Sequence, residues 1–308
     1  MSAILTDLLS PFAEPAIICT LFFTLGTVVS LGGVLIPSFR KNIMNYGSRG
    51  VNEVTTSPAQ QTSLDSLIEW IAAFRIPHSW FTHYYVLSVL SSLFWAYQIV
   101  MQGSVFRLLT SYSSRGLEDS MSREQVFLVW GMMMAQGVRR LYESVVFAKS
   151  SNAKMWIGLW ILGLAYYYFI GVAIWVEAIP VLTTDAPVTI DSRLSAKTIF
   201  SIAVFVTGST MQHICHKHLA NLKKYSLPQH PLFSTVVCPH YTCECFVYLA
   251  MAMAAAPPGS TFNSTVLSGL GFVAANLGVT ADSTRKWYVE KFGVEKVNGR
   301  WRMIPFMY

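Results

Sequence analysis

Charged side chains are scarce in this chain. Of its 308 residues, 12% are Asp, Glu, Lys or Arg and 53% are hydrophobic, whereas soluble domains carry about a quarter charged residues. The composition therefore indicates a polytopic membrane protein. The formal charge of +6 lies between apolar runs and not on one basic face, so the sequence predicts no nucleic-acid partner.

Cysteine is also sparse. The five cysteines are Cys19, Cys215, Cys238, Cys243 and Cys245. The last four lie in or near segments that we predict to be cytosolic or within the membrane, so no disulfide framework is expected. The amino-terminal segment lacks the basic region of a secretory signal, and its long first apolar run is followed at once by Arg40 and Lys41. We interpret that run as a retained membrane anchor.

Long apolar runs dominate instead. Seven of them are long enough, or nearly so, to cross a hydrocarbon core of about 30 Å, which takes roughly 20 helical residues. They cover residues 15–39, 81–101, 125–148, 155–179, 196–212, 236–256 and 265–281. The stretch 42–66 is interpreted as a polar loop. The expected architecture is an all-α membrane protein, with one domain over 1–308 and seven transmembrane helices in a single bundle.

Lysine and arginine are divided unevenly between the loops. Most of them lie in the loops at 40–80, 149–154, 213–235 and 282–308. Because cytosolic loops are enriched in positive charge, this asymmetry predicts a cytosolic C-terminus and, with seven spans, a lumenal N-terminus. The sequon at Asn263 would then be lumenal, but too close to the membrane to favour glycosylation.

The third apolar run contains charged groups, which are costly inside a membrane helix and usually functional. Gln136, Arg140 and Glu143 are three, four or seven residues apart, so they share one helical face, with Arg139 beside them. We predict that this face points an amide, a guanidinium and a carboxylate into one cavity. The alternative is an interhelical ion pair that only holds the bundle together.

A second polar cluster runs from Gln212 to His240. It is rich in His, Lys, Asn and Gln, and Lys and His donors at a membrane–cytosol boundary suit a phosphate-bearing ligand. A basic loop attracted to anionic lipid headgroups would have the same composition. Composition leaves both interpretations open.

Two further patterns carry less weight. The histidines and cysteines at 213–218 and 238–245 lack the paired C-x-x-C spacing of structural zinc, so no metal site is predicted. The stretch 269–274 matches G-x-G-x-x-A, but it follows no strand and lies in an apolar run, so it is not a dinucleotide fingerprint. We expect its small residues to allow close helix packing.

Several ordered motifs suggest a family. Residues 76–85 read I-P-H-S-W-F-T-H-Y-Y, and residues 136–143 read Q-G-V-R-R-L-Y-E. Residues 212–223 contain Q-x-x-C-H and L-A-N-L-K, residues 225–244 run from Y-S-L-P-Q to C-P-H-Y-x-x-E, and residues 287–306 contain W-Y, R and I-P-F. From about residue 76 to the end, the chain thereby resembles the steroid 5α-reductase family, and specifically its polyprenol (polyprenal) reductase branch.

This resemblance implies a multi-pass enzyme of the endoplasmic-reticulum membrane, with NADPH bound in the cytosolic half of the bundle. By position in the motifs, the cofactor contacts would be Gln212, His216, Asn221, Lys223, Tyr225, His240, Glu244, Thr284, Tyr288 and Arg300. The sequence also departs from the steroid-reducing members. Ser226 stands where those have arginine, and their tyrosine that touches the steroid ketone would fall at Gly137. These departures favour the polyprenal branch.

The implied reaction is reduction of the α-isoprene double bond of polyprenal, on the route from polyprenol to the dolichol used in protein N-glycosylation. A donor aimed at the carbonyl oxygen would be worth about 3 kcal/mol. Arg140, or a protonated Glu143 or Glu69, would supply it, with Tyr142 or Gln136 as orienting partners. The implied partners are a long-chain isoprenoid lipid and the bilayer, and no protein partner is implied.

Three alternatives remain at this point. One is a 3-oxo-5α-steroid 4-dehydrogenase or another sterol double-bond reductase of the same fold. The others belong to different classes: an isoprenylcysteine-type membrane methyltransferase, and a seven-helix receptor or transporter. Binding of NADPH to the purified protein distinguishes the reductases from these last two.

Overall fold

Almost all regular structure in the computed structural model is helical. The structure describes residues 13–36, 39, 63–149, 152–184, 195–223 and 225–308. The longer helices in these ranges are α1 (Pro15–Gly33), α2 (Ser63–Ala72), α3 (Thr82–Val100), α4 (Ser104–Thr110), α5 (Arg123–Val146), α6 (Ile157–Ala173), α7 (Ala196–Asn221), α8 (Pro239–Ala254) and α9 (Ser264–Phe292). Strands β1 (Arg75–Pro77) and β2 (Lys154–Trp156) pair antiparallel. The helical turn Ile179–Leu182 and the 3-10 turns His78–Phe81, Val176–Ala178, Pro231–Phe233 and Val294–Lys296 complete the described elements.

Local sequence explains where several helices begin. α5 starts with a capping box, in which the Ser122 side chain accepts from Gln125 N and the Gln125 side chain accepts from Ser122 N. Asn263 caps α9 by accepting from Val266 N at 2.9 Å. α1 and α8 each begin with proline, whose fixed φ and missing N–H suit the first helical position.

Each of the seven predicted apolar runs coincides with a long helix, although several bounds differ. α7 and α9 continue past the predicted ends at 212 and 281, to Asn221 and Phe292. Hydropathy marks only the part of a helix that suits lipid, whereas backbone hydrogen bonds continue into polar sequence. α1 ends at Gly33, earlier than the predicted 39, and the fourth run breaks after Ala173 into shorter turns.

The predicted loop 42–66 is wrong at its end, because residues 63–66 begin α2. This helix is amphipathic, and it buries Ile68 and Ala72 against Trp156 and Leu159. Helical periodicity therefore extends into a segment whose composition resembles a loop. Residues 42–62 lie outside the described residues.

Four helical segments in the described ranges are long and apolar enough to cross a membrane: α1, the segment Ile157–Leu182, α7 and α9. The segments His78–Val100 and Ser104–Thr110, which meet at 79°, make a fifth if they are counted as one span. α5 carries several charges and α8 has 16 residues, so neither combines sufficient length with apolarity. The chain is thus a multi-pass membrane protein, while seven spans and the orientation of the termini stay predictions.

The loops separate into two groups at opposite ends of the helices, as alternating spans require. At one end β1 pairs with β2, and Lys149 Nζ donates to the carbonyl oxygen of Leu222 at 2.5 Å. The chain after α9 returns to this end, where Val237 N donates to Trp301 O at 2.8 Å. We call this end, formed by the described loop residues 73–81, 147–149, 152–156, 222–223, 225–238 and 293–308, the basic end.

The opposite end is organised around the carboxylate of Glu177, which is 2% exposed. Glu177 accepts a hydrogen bond from Thr265 N at 3.0 Å, and Arg115 Nη1 lies 3.3 Å from its other oxygen. Glu14, nearby in the fold, accepts from the Ser113 hydroxyl at 2.9 Å. We call this end, formed by the loops at 101–122, 174–184 and 255–263, the Glu177 end.

Between the ends, aromatic and aliphatic side chains form the main core. Trp95 and Trp175 are almost fully buried, and their ring centroids lie 5.0 Å apart. A Cβ atom at Gly269 would lie 3.0 Å from Ile170 Cδ1. The expectation that small residues at 269–274 allow close helix packing is therefore confirmed at Gly269.

Candidate active site

α5 carries four polar residues toward neighbouring helices near the basic end: Gln136, Arg139, Arg140 and Glu143. Because an α-helix rises 1.5 Å per residue, Gln136 lies about 15 Å and Glu143 about 5 Å from the last residue of α5. Gln136 is 2% exposed and Glu143 is 3% exposed. Both side chains are therefore withdrawn from lipid and from the solvent at the basic end, as the predicted inward face requires.

Glu143 is the centre of this cluster. Its Oε1 accepts from Arg139 Nη1 at 2.5 Å and lies 2.8 Å from His213 Nδ1. Its Oε2 accepts from Arg140 Nη1 at 2.5 Å and lies 2.7 Å from His216 Nδ1. One carboxylate thus holds two guanidinium groups from its own helix and contacts two imidazoles from α7.

The Nδ1 atom of His216 has two competing neighbours. It lies 2.7 Å from Glu143 Oε2 and 2.8 Å from Arg140 Nη1. A guanidinium only donates and a carboxylate only accepts. A protonated Nδ1 therefore bonds to Glu143, whereas an unprotonated Nδ1 accepts from Arg140, so the protonation of His216 selects its partner.

An amide and carboxylate network extends the cluster to α8. Gln136 Nε2 donates to Gln212 Oε1 at 3.2 Å and to Glu244 Oε2 at 3.3 Å. Gln212 Nε2 donates to the Glu244 carboxylate and to the carbonyl oxygen of His240, the latter at 3.2 Å. α5, α7 and α8 are thereby tied together by side chains that the sequence motifs had singled out.

Arg139 also belongs to the cluster, although its helical phase puts it beside the predicted face. Its Nη2 donates to Gln136 Oε1 at 2.7 Å and to Gln212 Oε1. A long flexible side chain can turn along its helix, so the phase of its Cβ atom does not fix where its charged end lies. Arg139 and Arg140 balance the formal charges of Glu143 and Glu244, which lowers the cost of burying all four groups.

Tyr85 is a member of the cluster that sequence reasoning did not select. Arg140 Nη2 donates to Tyr85 Oη at 2.5 Å, and the guanidinium carbon lies 4.6 Å from the centroid of the Tyr85 ring. The only signal was its place at the end of the 76–85 motif. Periodicity alone cannot show which residue of α3 meets Arg140 of α5.

Two predicted catalytic residues are not brought into the cluster. Tyr142 is 54% exposed, and its ring contacts Phe147 at 6.1 Å. It follows Gln136 by six residues, which turns it about 240° around the helix. Glu69 lies on the exposed surface of α2. In the described structure neither residue bonds to the cluster, so the predicted set is not brought together as one site, and the catalytic roles of its members stay predictions.

The predicted cofactor contacts separate into an inner and an outer group. Gln212, His216 and Glu244 lie within the cluster. His240 borders it, with its ring 5.5 Å from that of His216 and 4.2 Å from that of Tyr241. These four form the inner group.

The outer group lies at the basic end. Tyr225 has a φ of 65°, and its exposed ring lies 4.2 Å below Lys291 Nζ. Asn221, the last residue of α7, and Lys223 just after it are exposed. These side chains are accessible to a ligand that approaches from the basic end.

Three further predicted contacts lie at the end of α9 and in the segment after it. Tyr288 is 8% exposed, and Thr284 Oγ1 donates to Thr280 O within the helix at 2.8 Å. Arg300 is half-buried. The neighbouring Arg302 is instead the arginine that bonds to Asp282, at 2.7 Å, and so it holds the carboxyl-terminal segment against α9.

A row of rings connects the cluster to the basic end. From His216 the row passes through His240, Phe233 and His218 to His230, with successive centroid separations of 5.5, 6.2, 5.6 and 5.3 Å. Four of the five members are histidines, which supply polar ring edges along an otherwise apolar path. The row thus runs from the inner group to His230 in the loop that follows α7.

No group of three or more His, Cys, Asp or Glu side chains in the described ranges is arranged to hold a metal ion. All five cysteines are free thiols. Cys215 and Cys243 are buried where α7 faces α8. The histidines of the second polar cluster instead contact carboxylates and rings, as described above.

A separate apolar cavity of about 660 Å³ lies toward the Glu177 end, between α3, α5 and the segment 174–184. Its walls include Trp95, Ile99, Phe127, Trp130 and Trp175. Cavities of this size and apolar lining are typical of sites for apolar ligands. Since α3 and α5 also carry Tyr85 and Arg140, the cavity and the polar cluster share two of their helices.

The helices of this membrane protein thus enclose a charge-balanced polar cluster next to the basic end. A family model described as 3-oxo-5-alpha-steroid 4-dehydrogenase matches residues 153–308, half of the chain. The chain belongs to this family, the 5α-reductase family of oxidoreductases. The resemblance drawn from the sequence motifs is thereby confirmed.

Curated relatives extend the similarity toward the amino terminus. Polyprenal reductase 1 of Oryza sativa subsp. indica is 27% identical, and the alignment covers 90% of each chain. The polyprenal reductase of Saccharomyces cerevisiae is 28% identical over 82% of this chain and 83% of its own. The human polyprenal reductase is 26% identical over 77% of this chain and 79% of its own. The similarity therefore includes α3 and α5 as well as the carboxyl-terminal half.

Proposed function

We propose that this protein reduces the carbon–carbon double bond of the α-isoprene unit in polyprenal, with NADPH as the reductant. The observation that carries the proposal is the cluster of Arg139, Arg140, Glu143 and Glu244, in which Glu143 is buried and the other three are partly buried. It lies inside the bundle of a 5α-reductase family member whose curated relatives include polyprenal reductases. A charge-balanced site with several donors suits a reaction in which a carbonyl oxygen gains negative charge.

The side chains present suit a nicotinamide dinucleotide. The buried Arg139 Nε and His218 Nε2 atoms have no hydrogen-bond partner within the described structure, so both can serve a ligand. Lys223 and Arg300 add positive charge at the basic end, where phosphate groups need cationic donors. When bound, NADPH supplies the two electrons and the hydrogen that the β-carbon receives.

Within the cluster, Arg139 and Arg140 provide positive potential for the carbonyl oxygen, worth about 3 kcal/mol if it is aimed at the transition state. Both oxygens of Glu143 accept from guanidinium N–H groups. Glu143 therefore acts as a positioning residue that holds the two arginines, rather than as a proton donor. Gln136 and Gln212 hold Glu244 in the same way on the α8 side.

The apolar cavity would accommodate part of the isoprenoid chain. Its lining is formed by aromatic and aliphatic side chains of α3, α5 and 174–184, and such surface is stabilised when it is removed from water. The product would supply the dolichol used in protein N-glycosylation at the endoplasmic-reticulum membrane. A short-chain aldehyde should react more weakly than polyprenal, because it cannot reach this cavity.

The decisive experiment compares three substrates with the purified protein and NADPH: polyprenal, polyprenol and a 4-ene-3-ketosteroid. We expect polyprenal to be reduced at its α-isoprene unit and the other two to remain unchanged. A protein with Tyr97→Phe should behave like the wild type with all three substrates, because Tyr97 is 62% exposed on the same helix as Tyr85. Failure to bind NADPH or to reduce polyprenal would refute the proposal.

A second candidate is a 3-oxo-5α-steroid 4-dehydrogenase, since the matching family model carries that description. Reduction of the ketosteroid in preference to polyprenal would establish it. Family membership favours both reductases over the methyltransferase and the receptor or transporter suggested by composition.

We also propose that the basic end faces the cytosol, because the described residues of its loops include seven lysines and arginines, whereas the loops of the Glu177 end include two. In sealed microsomes, protease should remove a tag placed after Tyr308. Protection of the tag would reverse the orientation and place the cofactor on the lumenal side.

A further inference from the structure

Tyr85 occupies an unusual position in the cluster. It lies one turn into α3, is 5% exposed, and accepts a hydrogen bond from Arg140 Nη2 at 2.5 Å. Its ring packs edge-on against Tyr167, with centroids 5.8 Å apart. The hydroxyl group is therefore held between a rigid aromatic wall and the arginine that Glu143 fixes.

The bond with Arg140 uses Tyr85 Oη as an acceptor and leaves the phenolic hydrogen uncommitted. Within the described ranges, no acceptor lies at hydrogen-bond distance from that O–H group. The neighbouring Tyr84 provides a contrast, because its hydroxyl donates to Leu159 O at 3.1 Å. A buried hydroxyl normally donates to a partner, so the unused donor of Tyr85 points to an acceptor that only a ligand supplies.

On the premise of the proposed function, we propose that Tyr85 is a catalytic residue that donates a hydrogen bond to the carbonyl oxygen of the α,β-unsaturated aldehyde. Arg140 is its positioning residue. As the β-carbon is reduced, electrons of the double bond shift toward the carbonyl oxygen, which gains negative charge. Tyr85 shares its proton with that oxygen and keeps it, while the α-carbon takes a proton from water.

The contact with Arg140 strengthens Tyr85 in this role. A hydroxyl that accepts a hydrogen bond from a cation becomes a better donor, because linked hydrogen bonds polarise one another. The other N–H contacts of Arg140, to Glu143 and His216, prevent the guanidinium from turning away. The donor is thus oriented before substrate arrives, which is the condition under which such a group accelerates a reaction.

The test uses Tyr85→Phe, with Tyr84→Phe as the matched control one residue away. Without NADPH, we expect the carbonyl stretching frequency of a bound unsaturated aldehyde to fall in the wild type and in Tyr84→Phe. The shift should disappear in Tyr85→Phe. With NADPH and polyprenal, kcat should fall about 100- to 1000-fold in Tyr85→Phe, while the KM for NADPH stays unchanged.

A purely structural role for Tyr85 predicts a different result. In that case Tyr85→Phe lowers the melting temperature but keeps the carbonyl shift, and this outcome would overturn the inference. Fluorotyrosine at position 85 keeps the ring and makes the hydroxyl more acidic, so it tests the same point if Tyr85→Phe fails to fold. The carbonyl shift should then increase, and an unchanged shift would also overturn the inference. Wild-type protein that does not reduce polyprenal would instead refute the proposed function itself.

Discussion

Glu143 and Glu177 are both almost fully buried, at 3% and 2% exposure, and each contacts arginine. Their other partners differ. Glu177 accepts from the backbone N–H of Thr265 at 3.0 Å and from the hydroxyls of Thr265 and Ser264 at 2.6 and 3.0 Å. Thr265 is the second residue of α9, so Glu177 satisfies an N–H group that the helix itself leaves unbonded.

All four partners of Glu143, by contrast, are ionisable side chains: Arg139, Arg140, His213 and His216. Among the described residues, no backbone group bonds to these four side chains, and His216 can exchange Glu143 for Arg140 when the protonation of its Nδ1 changes. The comparison indicates that a carboxylate bound to a helix terminus serves the fold. A carboxylate bound to side chains from two helices can serve a reaction, because its partners can respond to a ligand.

The largest expected effect is at Glu143. Glu143→Leu leaves two buried arginines without their shared carboxylate, and breaking a buried pair in this way typically costs about 3–5 kcal/mol of stability. Arg140→Met leaves Glu143 paired with Arg139 and should cost less. Turnover should fall in both variants by at least about 3 kcal/mol of transition-state stabilisation.

The double variant Arg140→Met with Glu143→Leu is the informative comparison. Because Arg139 also depends on Glu143, we expect its melting temperature to lie between those of the two single variants and its activity to be absent. If the double variant turned over at the wild-type rate, the pair of Arg140 and Glu143 would have a structural role only.

Glu177→Gln should lower stability without lowering the activity of each folded molecule, the opposite of what is expected for the double variant. It weakens hydrogen bonds to a charged group, each worth roughly 1.5–3 kcal/mol, so the melting temperature should fall. The activity of each folded molecule should remain unchanged, because Glu177 lies at the end away from the cluster. A fall in kcat without a loss of stability would contradict the assignment of Glu177 to the fold.

Substitutions in the predicted cofactor set should have smaller effects. We expect His240→Leu and Tyr288→Phe each to weaken NADPH binding about tenfold, or 1.4 kcal/mol. Apparent affinity for polyprenal should stay constant, and Tyr97→Phe should change neither quantity. Titration with NADPH measures the change in cofactor affinity directly. If the affinity for polyprenal falls and the affinity for NADPH does not, these residues contact the substrate and not the cofactor.

The smallest expected effect concerns the contact between α3 and α5. A Cβ atom at Gly137 would lie 2.8 Å from Ser88 Oγ, so Gly137→Ala should cost about 1 kcal/mol or slightly more. Adding Ser88→Ala should restore most of the lost stability.

Gly131 is the matched control on the same helix, because no atom lies within 4 Å of a Cβ there. Gly131→Ala should therefore be neutral or slightly stabilising. Thermal melting of Gly137→Ala, Ser88→Ala, the double variant and Gly131→Ala measures the coupling between Gly137 and Ser88. Additive effects of the first two substitutions would contradict the close approach.

Much of the site was predictable because its residues repeat with helical spacing. Gln136, Arg140 and Glu143 share a face of α5 for geometric reasons alone, and Gln212 and His216 share one on α7 in the same way. Tyr142 was selected from its motif and not from its phase, and the structure turns it outward. Glu69 was selected by resemblance, and it lies on the exposed surface of α2.

The amino-acid sequence was sufficient to predict the positions of the long helices, the membrane location that the scarcity of charge implies, and the inward face of α5. These depend on hydropathy and on the 3.6-residue repeat, both of which are local. Three contacts became known only from the folded arrangement of the helices: Arg139 turns into the cluster, Tyr85 meets Arg140, and Glu177 accepts from Thr265 N in the first turn of α9. Those contacts join residues on different helices or depend on how a long side chain bends, and both are set by how the helices pack.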